Sequence, residues 1–320
     1  MNSVAMCTYN GEKHIREQLE SIIGQTMPPD EIVICDDGSK DHTVDIIRDV
    51  LKDWKGKLQL VCNEKNLGFV KNFEKAISLC HGDIIYLSDQ DDVWDLHKIE
   101  IMDEVFCRNP DVVTVWHDAE LVDESLCRLY DSFWKTTLEF NEKKFLNGDY
   151  SHILEGNVMQ GSACAFRKEV FCSAVPFPKH AFHDEWLLLV SLLTGRVIPV
   201  SKILMKYRQA DNALGGMPVS IKAKFLHYWN FVSYKKIIID KMKRRESVFG
   251  EILDRHIEVN YPDVLKQYER HHRFLQYRLS CIAHKDLRLI SPFANYRRCS
   301  HTMWTAVKMV IKDYLCMMYK

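Results

Sequence analysis

Gly-Asp-Ile-Ile-Tyr-Leu-Ser-Asp-Gln-Asp-Asp-Val-Trp, residues 82–94, decides the fold. A short apolar run reads as a buried strand. It ends abruptly in Asp89, Gln90, Asp91 and Asp92. Carboxylates this close repel one another unless solvent or a cation relieves them. An oxygen-only donor set with an incomplete protein shell suits Mg²⁺ or Mn²⁺ carrying substrate phosphates. The plainer alternative is a solvated acidic loop, or a cluster at a helix N-terminus meeting the macrodipole.

Upstream of this stretch the chain alternates between two periods. Residues 2–8 read as a strand. Residues 12–24 place Ile15, Leu19, Ile22 and Ile23 on one helical face. Met-Pro-Pro-Asp at 27–30 breaks that helix. A second strand follows at 31–35, then a helix over 43–53 capped by Asp41. A third strand at 58–62, a third helix at 68–80 and the strand at 83–88 complete the series. Such a β-α-β-α order implies an α/β fold, a mostly parallel sheet with helices on both faces. Ligands on such sheets bind beyond the carboxyl ends of the strands. The polar motifs fall at those ends.

Downstream the pattern loosens. Residues 156–166 read as a loop feeding a strand, and 184–194 as an apolar helix stopped by Gly195. Arg-Val-Ile-Pro-Val at 196–200 reads as an edge strand, where proline is tolerated. From about 219 the chain is amphipathic and helical, divided by Pro262 and Pro292 into three or four helices. The expected division is 1–218, with a nucleotide-binding half to about 115 and an acceptor half at 116–218, then a basic helical region at 219–320.

The chain of 320 residues is long enough for one large or two ordinary domains, and 47% apolar with 27% charged residues is a soluble globular composition. Its net charge of -1 hides an asymmetry: residues 1–220 carry 23 Lys+Arg against 35 Asp+Glu, and residues 221–320 carry 20 against 9. An acidic catalytic part argues against nucleic acid as a partner. The basic region either meets an anionic membrane surface or docks on the acidic part. In 303–318, Met303, Trp304, Val307, Val310, Ile311, Tyr314, Leu315 and Met318 lie near one helical face, with Lys308, Lys312 and Asp313 elsewhere. That face lies on a bilayer, or packs on the catalytic domain or a second copy in a homodimer. The eleven cysteines form no CxxC pair. Cys7, Cys35 and Cys62, in strand-like runs, read as buried free thiols in a reducing compartment. With a strand at the very start and no apolar run of about 18 residues, the expectation is a cytoplasmic protein, at most peripheral at the inner face of the membrane.

Three more polar segments carry chemistry. Cys-Thr-Tyr-Asn-Gly-Glu at 7–12 presents hydroxyl, amide and backbone groups beside a helix start, suited to a phosphate or a base, or acts as a plain cap. Cys-Asp-Asp-Gly-Ser at 35–39 offers two carboxylates to base N–H and ribose hydroxyls, or forms an Asx-type turn. His-Asp-Glu-Trp at 183–186 opens a helix, where a carboxylate serves as a general base or as an N-cap.

Taken together, the stretches resemble the family 2 glycosyltransferases of GT-A fold, in their rhamnosyltransferase-like branch. The stretches are CTYNGEKHIREQLESI, EIVICDDGSKDHT, NEKNLGFVKNFEKAI, GDIIYLSDQDDVW, HDAELVDE, HDEWLLLVSLLTG and ILMKYRQADNALG, in family order over about residues 2–216. The resemblance implies an inverting transfer of a sugar from a UDP- or dTDP-sugar, dTDP-rhamnose among them. The acceptor would be a hydroxyl of a glycan or lipid-linked molecule, in bacterial surface polysaccharide synthesis. It implies that Thr8, Tyr9, Asn10 and Glu12 line the nucleotide pocket. Asp36 would contact the base, Asp37 and Gly38 the ribose, and Gly68 and Asn72 would pass close to the nucleoside. Asp89, with Gln90 beside it, would lie near ribose or metal, and Asp91 would be the direct ligand of Mn²⁺ or Mg²⁺. Asp118 would lie near the donor sugar, and Asp184 would deprotonate the acceptor. One departure stands out: relatives often read YRQH where this chain has Tyr207-Arg208-Gln209-Ala210. Ala210 cannot coordinate a metal, so Asp211 or water takes that place, or binding weakens. A non-catalytic nucleotide- or carbohydrate-binding protein is therefore the rival. A glycoside hydrolase would not need strand-end nucleotide motifs, and no GxGxxG follows the first strand to support an oxidoreductase.

Overall fold

A computed structural model describes residues 1–209, 231–284, 296, 300 and 303–318. It divides into two compact units, Met1–Glu142 with Val158–Ala210, and Lys143–Asn157 with Asp211–Lys320.

The first unit is built on one sheet. β1 (Asn2–Thr8), β2 (Glu31–Asp36), β3 (Lys57–Cys62) and β4 (Ile84–Ser88) alternate with α1 (Ile15–Ile23), α2 (Thr43–Leu51) and α3 (Phe69–Leu79). β5 (Val93–Trp94), α4 (Lys98–Arg108), β6 (Val112–Val122) and β7 (Arg128–Tyr130) follow. The unit closes with β8 (Cys164–Arg167), α7 (Lys168–Ala174), α8 (His183–Thr194) and β9 (Arg196–Arg208). The strand order is β3-β2-β1-β4-β8-β6-β9-β5, with β7 against β6. β3, β2, β1 and β4 run parallel, as β6 does to β9, whereas β8 is antiparallel to both its neighbours. By length most of the pairing is parallel, as the alternating sequence implies.

Alternation along the strands divides the core. Val4, Met6, Ile32, Ile34 and Tyr86 share a cluster with Ile15 and Leu19 of α1, Ile47 of α2 and Met102 of α4. The intervening Ala5, Val33, Ile85 and Leu87 are equally buried and point to the other face. Helices thus cover both faces. α1 starts at Ile15, later than the periodicity predicts, because the Gly11 carbonyl accepts both the His14 and Ile15 N–H groups at 3.0 Å and ends the preceding turn there. β9 is far longer than the edge strand expected at 196–200, since its second half pairs with both β6 and β5. Pro199 lies in the first half, which β5 does not reach. Cys7 and Cys35 are buried as expected, but Cys62 is exposed because β3 ends the sheet.

The amino end of the sheet is pinned by one carboxylate. Glu31, fully buried, accepts hydrogen bonds from Ser3 Oγ at 2.6 Å, Lys57 Nζ at 2.7 Å and His81 N at 2.7 Å. Burial pushes its carboxyl up, but these donors outweigh it and hold it at about 2. A depressed carboxyl contributes stability above its unfolded value and loses it as pH falls. Glu31→Gln is expected to cost on the order of 2–3 kcal/mol at neutral pH. The gap to wild type should narrow steadily from about pH 5 toward pH 3 in urea titrations. A gap independent of pH would assign the loss to packing alone.

The second unit contains α5 (Glu142–Leu146, from Lys143), α6 (Ser151–Glu155), α9 (Phe231–Asp254), α10 (Pro262–His284) and α11 (Met303–Met318). Arg245 donates to the Ile153 and Leu154 carbonyls at 2.7 and 2.8 Å, serving the otherwise open end of α6. Arg278 grips Asp313 through two bonds of 2.7 and 2.8 Å, and Tyr296 Oη donates to the same carboxylate at 3.0 Å. α11 therefore packs through Ala306, Asp313 and Met317, so Asp313 belongs to the buried face and not to the polar one. Ile311 and Tyr314 of the expected apolar stripe stay exposed. No described helix is long and apolar enough to cross a membrane.

Candidate active site

The carboxyl ends of β1, β2 and β4 carry loops that bind one another. Beyond β1, Tyr9 is 51% exposed while its main chain is held on both sides by Gln90: Tyr9 N donates to Oε1 at 2.8 Å, and Nε2 donates to Tyr9 O at 3.1 Å. Gly11 makes this clamp possible, because a Cβ there would lie 2.3 Å from Gln90 Oε1. Asn10 takes a left-handed φ of 49°, which its short polar side chain tolerates. Its N–H donates to Ser39 Oγ and its Oδ1 accepts from Lys40 N, each at 2.8 Å. Glu12 Oε2 accepts from His42 N at 2.9 Å. Asn10 and Glu12 thus tie the loop after β1 to the one after β2.

Asp36 and Asp37 are buried and already partnered. Asp36 accepts from Thr8 Oγ1 at 2.8 Å and from Ser39 N at 2.8 Å, with Gly38 N at 3.1 Å. Asp37 accepts from Asn63 Nδ2 and Leu67 N at 2.8 Å and from Gly68 N at 2.9 Å. Asn72 is buried too, donating to Cys35 O and accepting from Asn63 Nδ2, both at 2.8 Å. These side chains fix the loops at the carboxyl ends of β2 and β3 to the start of α3. Gly68, at φ 77°, supplies the left-handed turn into α3.

The acidic loop leaves β4 beside them. Burial, then the charges of Asp92, Asp91 and Asp184, hold the Asp89 carboxyl well above its ordinary range. Asp91 and Asp92 are also raised, first by burial. Asp92 Oδ2 is buried with no hydrogen-bond partner. Lys98 lies in this interior, its Nζ 2.5 Å from the Ser162 carbonyl and 3.7 Å above the Trp94 ring, and burial pulls it down to about 7. No group of three or more His, Cys, Asp or Glu among the described residues is placed to hold a metal ion by itself. The donor chemistry nonetheless fits a divalent cation: all oxygen, mutually repelling and short of countercharge, with the other ligand positions left to a diphosphate. Ala210 and Asp211 lie outside the described residues.

Two cations here escape a motif-based reading. Lys98 is one. Arg208 is the other, at 4% exposure: Nε donates to Asp91 O at 2.8 Å, Nη2 to Glu17 at 2.6 Å and Nη1 to Glu124 O. The end of β9 is thereby fastened to the acidic loop. The sequence signal for it was the YRQ run, whose arginine sits two positions before the expected metal ligand.

Asp118 and Asp184 come from different elements. Asp118 is buried at a register shift in β6 and accepts from Trp134 N at 2.9 Å and from Ser132 Oγ, so it anchors the turn over Trp134–Leu138. Asp184 sits in the first turn of α8, half-buried, its Oδ1 accepting the Glu185 N–H at 2.7 Å. Its charge reaches Asp89 and the Cys164 thiol and raises both. The carboxylate at 184 therefore lies within electrostatic reach of the acidic loop.

Comparison with known proteins agrees with the fold. The model of "Glycosyl transferase family 2" matches residues 3–172. A dTDP-rhamnosyl transferase of Shigella flexneri is 29% identical over 235 residues, covering 69% of this chain and 76% of that protein. A glucosyl-dolichyl phosphate glucuronosyltransferase of Haloferax volcanii is 33% identical over 115 residues, 35% of this chain and 36% of its own. An uncharacterized glycosyltransferase of Nostoc is 33% identical over 113 residues, and the match spans 34% of its length. The chain thus spans about a third of the length of several curated relatives it matches. Among solved structures, S. aureus TarS 1-349 with UDP-GlcNAc superposes with a TM-score of 0.61 at 18% identity, over 98% of this chain and 89% of that one. A Pyrobaculum calidifontis mannosyltransferase with GDP-Man and Mn²⁺ gives 0.55 at 16%, over 99% and 85%. At such identities the likeness is one of fold.

Proposed function

We infer that this chain, which belongs to glycosyl transferase family 2, moves a sugar from a nucleoside-diphosphate donor to a hydroxyl of a glycan or lipid-linked acceptor, with inversion. The observation that carries the reading is the acidic loop at the carboxyl end of β4, half-buried at Asp89 and Asp91 and buried at Asp92, short of countercharge and within electrostatic reach of Asp184. Thr8, Tyr9, Asn10, Glu12, Asp36, Asp37, Gly68, Asn72 and Gln90 form the nucleotide pocket. The exposed Tyr9 ring is the part open to a base, and the buried members act by fixing the loops. Asp118 shapes the sugar end through the turn it anchors. Asp89 and Asp91 would hold Mn²⁺ or Mg²⁺, which when bound neutralises charge on the diphosphate leaving group. Asp184 takes the proton of the acceptor hydroxyl.

A UDP-sugar or dTDP-sugar donor, dTDP-rhamnose among them, belongs to the proposal, as does a place in surface polysaccharide synthesis. So does peripheral contact of the basic helical region with an anionic membrane, for which Ile311 and Tyr314 supply exposed apolar area. A nucleotide-release screen over UDP-, dTDP- and GDP-sugars, with and without Mn²⁺, tests the reaction. Metal-stimulated release from one donor, raised by acceptor, is expected. Binding without release of any donor would favour a non-catalytic binding protein.

A further inference from the structure

The segment before β8 runs alongside the acidic interior. The Ser162 carbonyl receives Lys98, and the Cys164 thiol at the start of β8 is raised by burial and by the Asp184 and Asp89 charges. On this segment sits Gln160, 9% exposed, with neither amide atom partnered. His183, one residue before Asp184, is 6% exposed, and neither ring nitrogen has a partner. Gly161, which follows Gln160 in the chain, packs against the His183 ring: a Cβ there would lie 2.6 Å from Nε2. The imidazole stacks on Phe73 at 4.0 Å, and at its outer side Phe69 and Phe182, each 40% exposed, meet at 5.9 Å.

Buried polar groups in folded proteins are nearly always satisfied, so an orphaned amide and an orphaned imidazole on two segments that pack together call for a ligand. An amide both donates and accepts, as a neutral imidazole does, and each matches a hydroxyl. Burial holds His183 neutral, down to about 3. The adjoining aromatic rings offer an apolar face to a pyranose ring. We propose that Gln160 and His183 form an uncharged hydrogen-bonding subsite that reads hydroxyls of the transferred sugar and admits neutral sugars while refusing uronic acids. A second carboxylate would enter beside Asp89, Asp92 and Asp184, and Lys98 is already committed to Ser162 and Trp94. The inference rests on the transfer reaction proposed above.

Calorimetric titration of the full chain with Mn²⁺ tests it, using UDP, dTDP and GDP, then UDP-GlcNAc, dTDP-rhamnose and UDP-glucuronic acid. Wild type should bind a neutral nucleotide sugar about tenfold tighter than the matching nucleoside diphosphate, and UDP-glucuronic acid no tighter than UDP. Gln160→Met should erase most of that gain and leave the nucleoside diphosphate within about twofold. Its unfolding midpoint should equal or exceed that of wild type, since no internal hydrogen bond is lost; a purely structural Gln160 would lower it. If the apolar variant folds poorly, Gln160→Asn, one methylene shorter, should show the same loss. Retention of the sugar-dependent gain in these variants overturns the subsite alone. A wild type that binds none of UDP, dTDP and GDP overturns the transfer reaction and the subsite with it.

Discussion

Replacing Asp184 with asparagine is expected to leave a folded protein that binds donor normally and transfers roughly 10²- to 10⁴-fold more slowly. The carboxylate occupies the first turn of α8, where the positive end of the helix accommodates negative charge. Within the helix start, the Glu185 N–H that Asp184 accepts at 2.7 Å can be accepted equally by an amide oxygen. The turn therefore survives the change. An amide cannot take a proton from an acceptor hydroxyl, and that is the interaction removed. Because the loss is confined to the transition state, kcat and kcat/KM for the donor should fall together. Glu185, next in the chain, is 2% exposed, so an incoming acceptor meets Asp184 first. Near-wild-type transfer by the variant would remove Asp184 from the base role.

The sheet was legible because its strands are short apolar runs with polar ends. Glu31–Asp36 and Ile84–Ser88 begin and stop within a residue or so of where hydrophobicity changes. β9 was not, since its length depends on partners in β5 and β6, about a hundred residues earlier in the chain. The same limit applies to the site. Strand-end motifs located Thr8, Asp36 and Asp89, but a motif does not tell an open carboxylate from a satisfied one. Asp36 and Asp37 proved to be buried acceptors holding loops together. Lys98 and Gln160 carry no motif of their own, and Arg208 lies in the YRQ run without a role that the run assigns to it. What marks them is burial of a charge or an amide, and only tertiary structure reveals that.

Asp91→Asn carries the second large effect, and its signs run in opposite directions. In the metal-free protein, Asp91 adds charge to a cluster where burial, Asp92 and Asp91 raise Asp89, and burial and Asp91 raise Asp92. Lys98 opposes them there, and His14 and Arg208 oppose the charge of Asp91 itself but do not outweigh its burial. Removing one negative charge while keeping the shape relieves that repulsion, so the unfolding midpoint without metal should rise. The loop itself should hold, because Arg208 grips the main-chain carbonyl of Asp91 and not its side chain. With Mn²⁺ and a nucleoside diphosphate the order reverses. Wild type should gain stability by mass action, and the variant should gain little beyond what nucleotide alone gives. Transfer should fall by roughly 10²- to 10³-fold, the scale on which one stabilising contact to a developing charge is lost. Thermal unfolding of both proteins, with and without Mn²⁺ and with UDP or dTDP, separates these terms. A variant that keeps the full Mn²⁺-dependent shift would move the metal away from Asp91. One that is no more stable without metal would mean that solvent already relieves the cluster, and the case for a cation built on missing countercharge would fail with it.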